Sequence, residues 1–408
     1  MQRTAKTHDL LCSNKDIQVG FLCYDLQPFT EDCLYRVAQA VSPIRLKAYP
    51  AFYHSNQENC RVPYRPSFLR GKHLGVNVAG STPEGFTSNV NLKAAWDCVR
   101  ESDIVALFGL QGGTALLAGL FNIFMHRTII SVTQTLPVVW ERRRRWWIRW
   151  LKRWLLNRCK FHIYQTQAAK EVITSLYNIS EKRLFYAPFE AGAAWFDAIL
   201  QRQQRGRNDV RRNLGLTNHV VFLFVGNLAF FKGIDDLLLA AHLMPKDAKY
   251  ACLFAGPEVE NNKTISHFMA EARKLGIEQH IRFLGALTPD ELAATYQAAD
   301  VVVLPTYKDC APKVLVEAAL ACKPIITTNA HGWIGTLVRD RDNAIVIEPG
   351  DVDSLASAMK RLLDENLRAD FGKRSRQIVD TVCNIEEETQ GFATAVKHAL
   401  TAVCPQEA

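Results

Sequence analysis

Two carboxylates, Asp309 and Glu317, flank a lysine, Lys313, in the stretch PTYKDCAPKVLVEAALACKPIITT from Pro305 to Thr328. The stretch follows DVVVLP, which reads as a buried parallel strand, and continues into an apolar-periodic segment that reads as a helix. In that helix Val314, Leu315, Ala318, Ala319 and Cys322 can face a sheet, while Lys313 and Glu317, four apart, share a side nearer the loop. Backbone N–H groups at a helix start lack intrahelical partners and carry the positive end of the helix dipole, so the amides near Lys313 and Val314 favour a phosphate. Periodicity alone also fits a buried strand and helix with a solvated aspartate and a capping carboxylate. A second loop adds weight. Gly226 and Lys232 sit at the end of the buried strand VVFLFVG, where a mobile cation can reach a diphosphate and glycine lets its backbone approach. A single lysine in such a loop is usually only solvated; two such loops in one sheet are harder to dismiss.

The elements that must position these loops read as an α/β protein. VVFLFVG, YACLFAGP, IRFLGA, DVVVLP, KPIITT and AIVIEP read as strands interleaved with helical segments, which implies a parallel sheet with helices on both faces. The first half repeats the pattern more loosely with IQVGFLCY, IVALFG, RTIISV, FHIYQT and RLFYAPF, while the region from Pro50 to Gly85 resists assignment. Residues 104–125 carry no charge over 22 positions, long enough to span a bilayer. Their middle, LQGGT, instead suggests strand, glycine turn and buried helix. Gly112, Gly113 and Thr114 then line the carboxyl end of a strand, where open α/β sheets bind ligands. The polar run QRQQRGRNDVRRNLGL places a boundary near residue 208. The expected domains are 1–207, 208–382 and a helical end, 383–408.

The chain has 408 residues, 48% of them apolar and 22% charged, a composition that excludes a disordered chain and suits two domains with cores of their own. Its 11 cysteines show no CxxC pair and no clustering with histidine, so reduced, buried thiols in a cytoplasmic protein are expected, without metal. Residues 141–160 hold nine Arg and Lys, among them Arg142, Arg143, Arg144 and Arg145, against one glutamate; that excess equals the formal net charge of +8 for the whole chain. Read as a helix, this segment places Trp147, Trp150, Leu151, Trp154 and Leu155 on one face. Tryptophan beside arginine suits a lipid headgroup zone. Nucleic acid is the rival partner, but no binding module surrounds the stretch; a solvated helix with its tryptophans in the core is the third reading.

The runs FVGNLAFFKGIDDLLLAA, IRFLGALTPDELAATYQAADVVVLPTYKDCAPKVLVEAALACKPIITT and DNAIVIEPGDVDSLASAMKRLLD resemble the donor-binding domain of glycosyltransferase family 4, retaining enzymes of the GT-B fold. The resemblance spans about residues 220–365 and extends to the first half only by topology. It implies two Rossmann-like domains with parallel sheets facing a central cleft, and a final helix that crosses back to the first domain. It further implies that Glu317 bonds the ribose of a nucleotide sugar, that Asp309 lies against the donor sugar, and that Lys232 contacts the diphosphate with Gly226 giving backbone room. Lys313 and Val314 would cap the phosphate. The donor would be a UDP- or GDP-sugar acting as a substrate, with no metal and no cofactor.

The departures from that family are specific. Asp309 replaces the usual Glu, Asn227 stands where an Arg commonly contributes a second cation, and His331 and Gly335 stand where a Gly and a Glu are common. The glycine-rich loop after the first strand is missing, and Gln134 stands where a His commonly touches the donor sugar. The expected function is glycosyl transfer to a lipid-linked or polysaccharide acceptor, by a cytoplasmic protein peripheral on the inner membrane face. A sugar-nucleotide epimerase and a non-catalytic sugar-nucleotide-binding protein are the alternatives.

Overall fold

A computed structural model describes residues 17–23, 28–41, 44–50, 91–109, 113–133, 145–189, 192–203, 207–259 and 262–403. The chain divides into two units, residues 1–189 with 385–408, and residues 190–384.

The first unit runs β1 (Ile17–Cys23), α1 (Pro28–Ala40), β2 (Ile44–Pro50), α2 (Leu92–Glu101), β3 (Ile104–Phe108), α3 (Gly113–Met125), β4 (Thr128–Thr133), α4 (Trp146–Arg158), β5 (Phe161–Tyr164), α5 (Gln167–Glu171) and β6 (Leu184–Tyr186). Its strands form one parallel sheet in the order β2-β1-β3-β4-β5-β6. Both faces are covered, as the near-continuous apolar strands require. One face buries Val105, Leu107 and Ile129 with Cys98, Ala118 and Leu155 from α2, α3 and α4. The other buries Phe21, Ile104 and Ile130 with Leu34 and Val37 of α1 and with Phe392 and Val396. The uncharged run from Ile104 thus contains the separate elements β3 and α3, and among the described residues no helix is long and apolar enough to cross a membrane.

The second unit runs α6 (Ala193–Arg202), α7 (Arg207–Asn213), β7 (Val220–Val225), α8 (Ile234–His242), β8 (Tyr250–Ala255), α9 (Ile265–Lys274), β9 (Ile281–Gly285), α10 (Pro289–Ala298), β10 (Val301–Leu304), α11 (Lys313–Leu320), β11 (Ile325–Thr328), β12 (Ala344–Ile347), α12 (Val352–Arg361) and α13 (Glu365–Val382). Its parallel sheet has the order β12-β11-β10-β7-β8-β9. A last helix, α14 (Ile385–Val403), belongs to the first unit, where it supplies Phe392 and Val396 and where Arg36 pairs with its Glu388 at 3.2 Å.

The boundary at 189/190 lies earlier than the 208 expected from composition. The polar run that reads as a linker is part of the second unit's framework. α6 buries Phe196, Ile199 and Leu200, and Arg211 of α7 is buried and reaches Asp300 Oδ2 at 3.1 Å, beside a second pair between Arg207 and Asp300. Charge here signals a partly buried ion-pair cluster at the foot of the sheet, which looks in sequence like solvated chain. Of the eight described cysteines five are buried.

Candidate active site

In the second sheet the chain leaves β7 toward β8 and β9 on one side, then returns to place β10 on the other side of β7. Such a reversal opens a crevice at the carboxyl ends of the two strands, the usual ligand position in open α/β sheets. The loops that follow β7 and β10 carry Lys232 and Asp309.

Glycine lets these loops meet. Gly233 begins α8 at φ 74°, and a Cβ there would lie 2.0 Å from the Pro305 carbonyl oxygen. Without that side chain, Tyr307 N–H donates to Phe231 O at 2.8 Å and the Thr306 hydroxyl donates to the same oxygen at 3.1 Å. Lys232 Nζ then donates to Asp309 Oδ2 at 2.6 Å, with side chains only 17% and 18% exposed. The neighbouring turn is equally tight: a Cβ at Gly256, φ 148°, would lie 2.0 Å from Gly226 O. Gly226 itself is half-buried at φ 148°, and Asn227 is exposed.

The loop after β11 closes the same site. Asp309 N–H donates to Ala330 O at 3.0 Å and Gly332 N–H donates to Cys310 O at 2.7 Å. His331, fully buried, accepts from Trp333 N–H through Nδ1 at 3.2 Å, while its Nε2 has no partner among the described residues. Burial, and then the Lys232 charge, push the His331 imidazole down to about 3, so it is neutral at physiological pH.

α11 starts with Pro312 at its N-cap and no side-chain cap. One turn in, Glu317 Oε2 accepts from Tyr296 Oη at 2.8 Å. Burial raises the Glu317 carboxyl above its ordinary value, opposed by the Tyr296 hydrogen bond and the Lys313 charge. The arrangement therefore offers a cation, a helix start and a hydrogen-bonded carboxylate around one crevice, a set suited to a diphosphate joined to a polyhydroxy group.

The other expected positions separate from this group. Gly113 begins α3 in the first unit, beside Thr114, whose hydroxyl accepts from Asn91 N–H at 3.1 Å. Gly112, Gln134, Arg142, Arg143 and Arg144 lie outside the described residues. Arg145 is the exposed N-cap of α4. The single tryptophan face expected for α4 divides along its length. Trp147 and Trp150 are 44% and 60% exposed, whereas Trp154 packs on the core cluster with Arg158 stacked 4.5 Å from its ring. Trp146, which the periodicity did not single out, is 73% exposed. Lys152, expected away from the packed face, is buried.

Sequence reasoning also passed over Tyr296 and Tyr307. Tyr296 stands among alanines on α10, a pattern that reads as plain core. Tyr307 and Asp236 are hydrogen-bonded, and burial raises both groups. Among the described residues no His, Cys, Asp and Glu are grouped to hold a metal ion.

Residues 206–378 match the family model described as "Glycosyl transferases group 1". Among curated proteins, the chain is similar to the D-inositol 3-phosphate glycosyltransferase of Corynebacterium aurimucosum, 35% identical over 162 residues, which is 39% of this chain and 38% of that protein. The chain thus spans less than half the length of the curated relatives it matches first. Among solved structures, Anabaena HepE in complex with UDP aligns with TM-score 0.68 at 17% identity, over 94% of this chain and all of that one. HepE is also solved with UDP-glucose. A sucrose-phosphate synthase from Thermosynechococcus elongatus aligns with TM-score 0.72 at 16% identity, over 95% and 100% of the two chains. The fold is GT-B, with two Rossmann-like domains, and the second domain resembles the group 1 glycosyltransferases.

Proposed function

We propose that this protein is a glycosyltransferase that takes a sugar from a nucleoside diphosphate and passes it to a lipid-linked or polysaccharide acceptor at a membrane surface. The observation that carries the proposal is the meeting of Lys232 with Asp309 at 2.6 Å in the crevice between β7 and β10, beside the uncapped start of α11 and the carboxylate of Glu317. When the glycosidic bond breaks, negative charge grows on the leaving diphosphate. The α11 amides, and Lys232 once it swings to the diphosphate, are the positive features that stabilise it. Glu317 holds the ribose, and Asp309 faces the sugar once Lys232 has turned to the phosphate. This account uses no protein nucleophile and no metal, and retention of configuration is proposed from the family resemblance. The UDP complexes of HepE favour a UDP donor.

The acceptor side of the proposal rests on α4. Trp146, Trp147 and Trp150 are exposed beside Arg145 and the exposed Arg153, and on the neighbouring α3 Leu120 and Phe124 are 45% and 79% exposed. Aromatic and basic groups presented together fit the headgroup layer of an anionic leaflet. On this reading the protein works as a peripheral protein, and the cytoplasmic face is the side we propose for it.

The test is a donor screen across UDP-, GDP- and ADP-sugars. At least one should release its nucleoside diphosphate, and Lys232→Ala should abolish the release. Release from none, with nucleotide still bound, would point to a sugar-nucleotide-binding scaffold instead.

A further inference from the structure

We infer that Tyr296 is a positioning residue for the nucleotide site: its hydroxyl clamps one oxygen of Glu317 from behind and leaves the other to receive the ribose. The inference rests on the nucleotide-sugar reading and names the group that makes Glu317 competent for it. Tyr296 is wholly buried on α10, and its hydroxyl lies 2.8 Å from Glu317 Oε2 and 3.3 Å from Val314 O. One hydroxyl has one proton to give, and the shorter contact is to the carboxylate. Among the described residues no other hydrogen bond reaches this carboxylate, so Oε1 retains its acceptor capacity.

The ring that carries the hydroxyl is itself fixed. Phe196 of α6 meets Tyr296 edge-on, with centroids 5.5 Å apart and an interplanar angle of 76°. α6 is in turn held by Asp197, which pairs with Arg376 of α13 at 2.6 Å; Arg376 also donates to Leu320 O, at the end of α11. The segment after the first unit thus reaches Glu317 through two rings and a hydroxyl.

The clamp also bears on charge. A carboxylate accepts from two ribose hydroxyls, whereas a neutral carboxyl offers less acceptor capacity. Burial favours the neutral form of Glu317; the groups opposing it are Tyr296 from α10 and Lys313 on its own helix, with the Arg376 and Asp197 pair packed at the far end of α11. Affinity for a nucleoside diphosphate is therefore lost as pH falls through the raised Glu317 value, and removing the Tyr296 hydroxyl moves that loss to higher pH.

The experiment measures UDP affinity by calorimetry from pH 5 to 8 in the full chain, for wild type, Tyr296→Phe, Glu317→Gln and the double variant. Tyr296→Phe should weaken UDP about tenfold near pH 6 and shift the acid limb upward. In the Glu317→Gln background, which has no carboxylate to clamp, the same change should alter affinity less than twofold. An equal effect of Tyr296→Phe in both backgrounds would mean a merely structural role and overturn the inference, as would an unmoved acid limb. If Glu317→Gln leaves affinity at the wild-type value, the nucleotide reading of this carboxylate fails together with the inference; if only Tyr296→Phe is silent, the inference alone fails.

Discussion

Replacing Asp309 by asparagine should tighten the binding of a free nucleoside diphosphate while reducing transfer. Lys232 Nζ sits 2.6 Å from Asp309 Oδ2, so a diphosphate that uses this lysine competes with the carboxylate. Coulomb's law at an effective dielectric near 20 gives about 6 kcal/mol for unit charges at that separation. Both side chains keep some exposure, 17% and 18%, so solvent screening reduces the net value toward the roughly 1–2 kcal/mol of partly buried charged hydrogen bonds. Asparagine keeps the shape and removes the charge, so UDP affinity should rise about tenfold. Transfer should fall, because the proposed role of Asp309 is to face the donor sugar. Calorimetric titration with UDP at fixed ionic strength reads the first effect, and initial rates read the second. UDP bound equally or more weakly by a folded Asp309→Asn protein would refute the competition.

Other changes test the surrounding framework. Gly233→Ala forces a left-handed residue with its Cβ against Pro305 O and should cost about 3 kcal/mol in denaturant unfolding while separating Lys232 from Asp309. At Asp300, burial favours the neutral form, but the Val221 N–H and the Arg207 and Arg211 guanidiniums outweigh it and hold the carboxyl below its ordinary 3.8. Its stabilisation is therefore complete above that value and drains away as pH falls through the depressed one. Asp300→Asn should lose about 3 kcal/mol at neutral pH and show a shallower acid slope. Neutralising Arg142 to Arg145 removes four charges worth about 1 kcal/mol each near an anionic leaflet, and binding to phosphatidylserine vesicles should fall at least a hundredfold in flotation; undiminished binding would remove the membrane proposal.

The second unit was more legible in sequence than the first because its strands are continuous apolar runs, each ending in a loop with a distinctive residue. VVFLFV and VVVL gave β7 and β10 directly, and the positions of Lys232 and Asp309 after them placed both at one sheet edge. Their contact was not legible, since it depends on the reversal of strand order and on Gly233 yielding to Pro305. β2 was missed because IRLKAYP lies at the sheet edge, where Arg45 and Lys47 interrupt the apolar pattern. The boundary was set too late because Arg207 and Arg211 look solvated in sequence, while the fold pairs them with Asp300, about 90 residues away. Tyr296 escaped notice for the reason that buried polar tips always do. Periodicity reports that a ring is packed, and its hydroxyl partner, Glu317, lies on a different helix.

The measurement that bears most directly on the site is a structure of the protein with a bound nucleotide sugar. The diphosphate should lie on Lys232 Nζ and the first amides of α11, with the ribose hydroxyls on Glu317 and Asp309 released from Lys232. A nucleotide bound elsewhere, or a lysine still paired to Asp309 with the diphosphate out of its reach, would contradict the assignment.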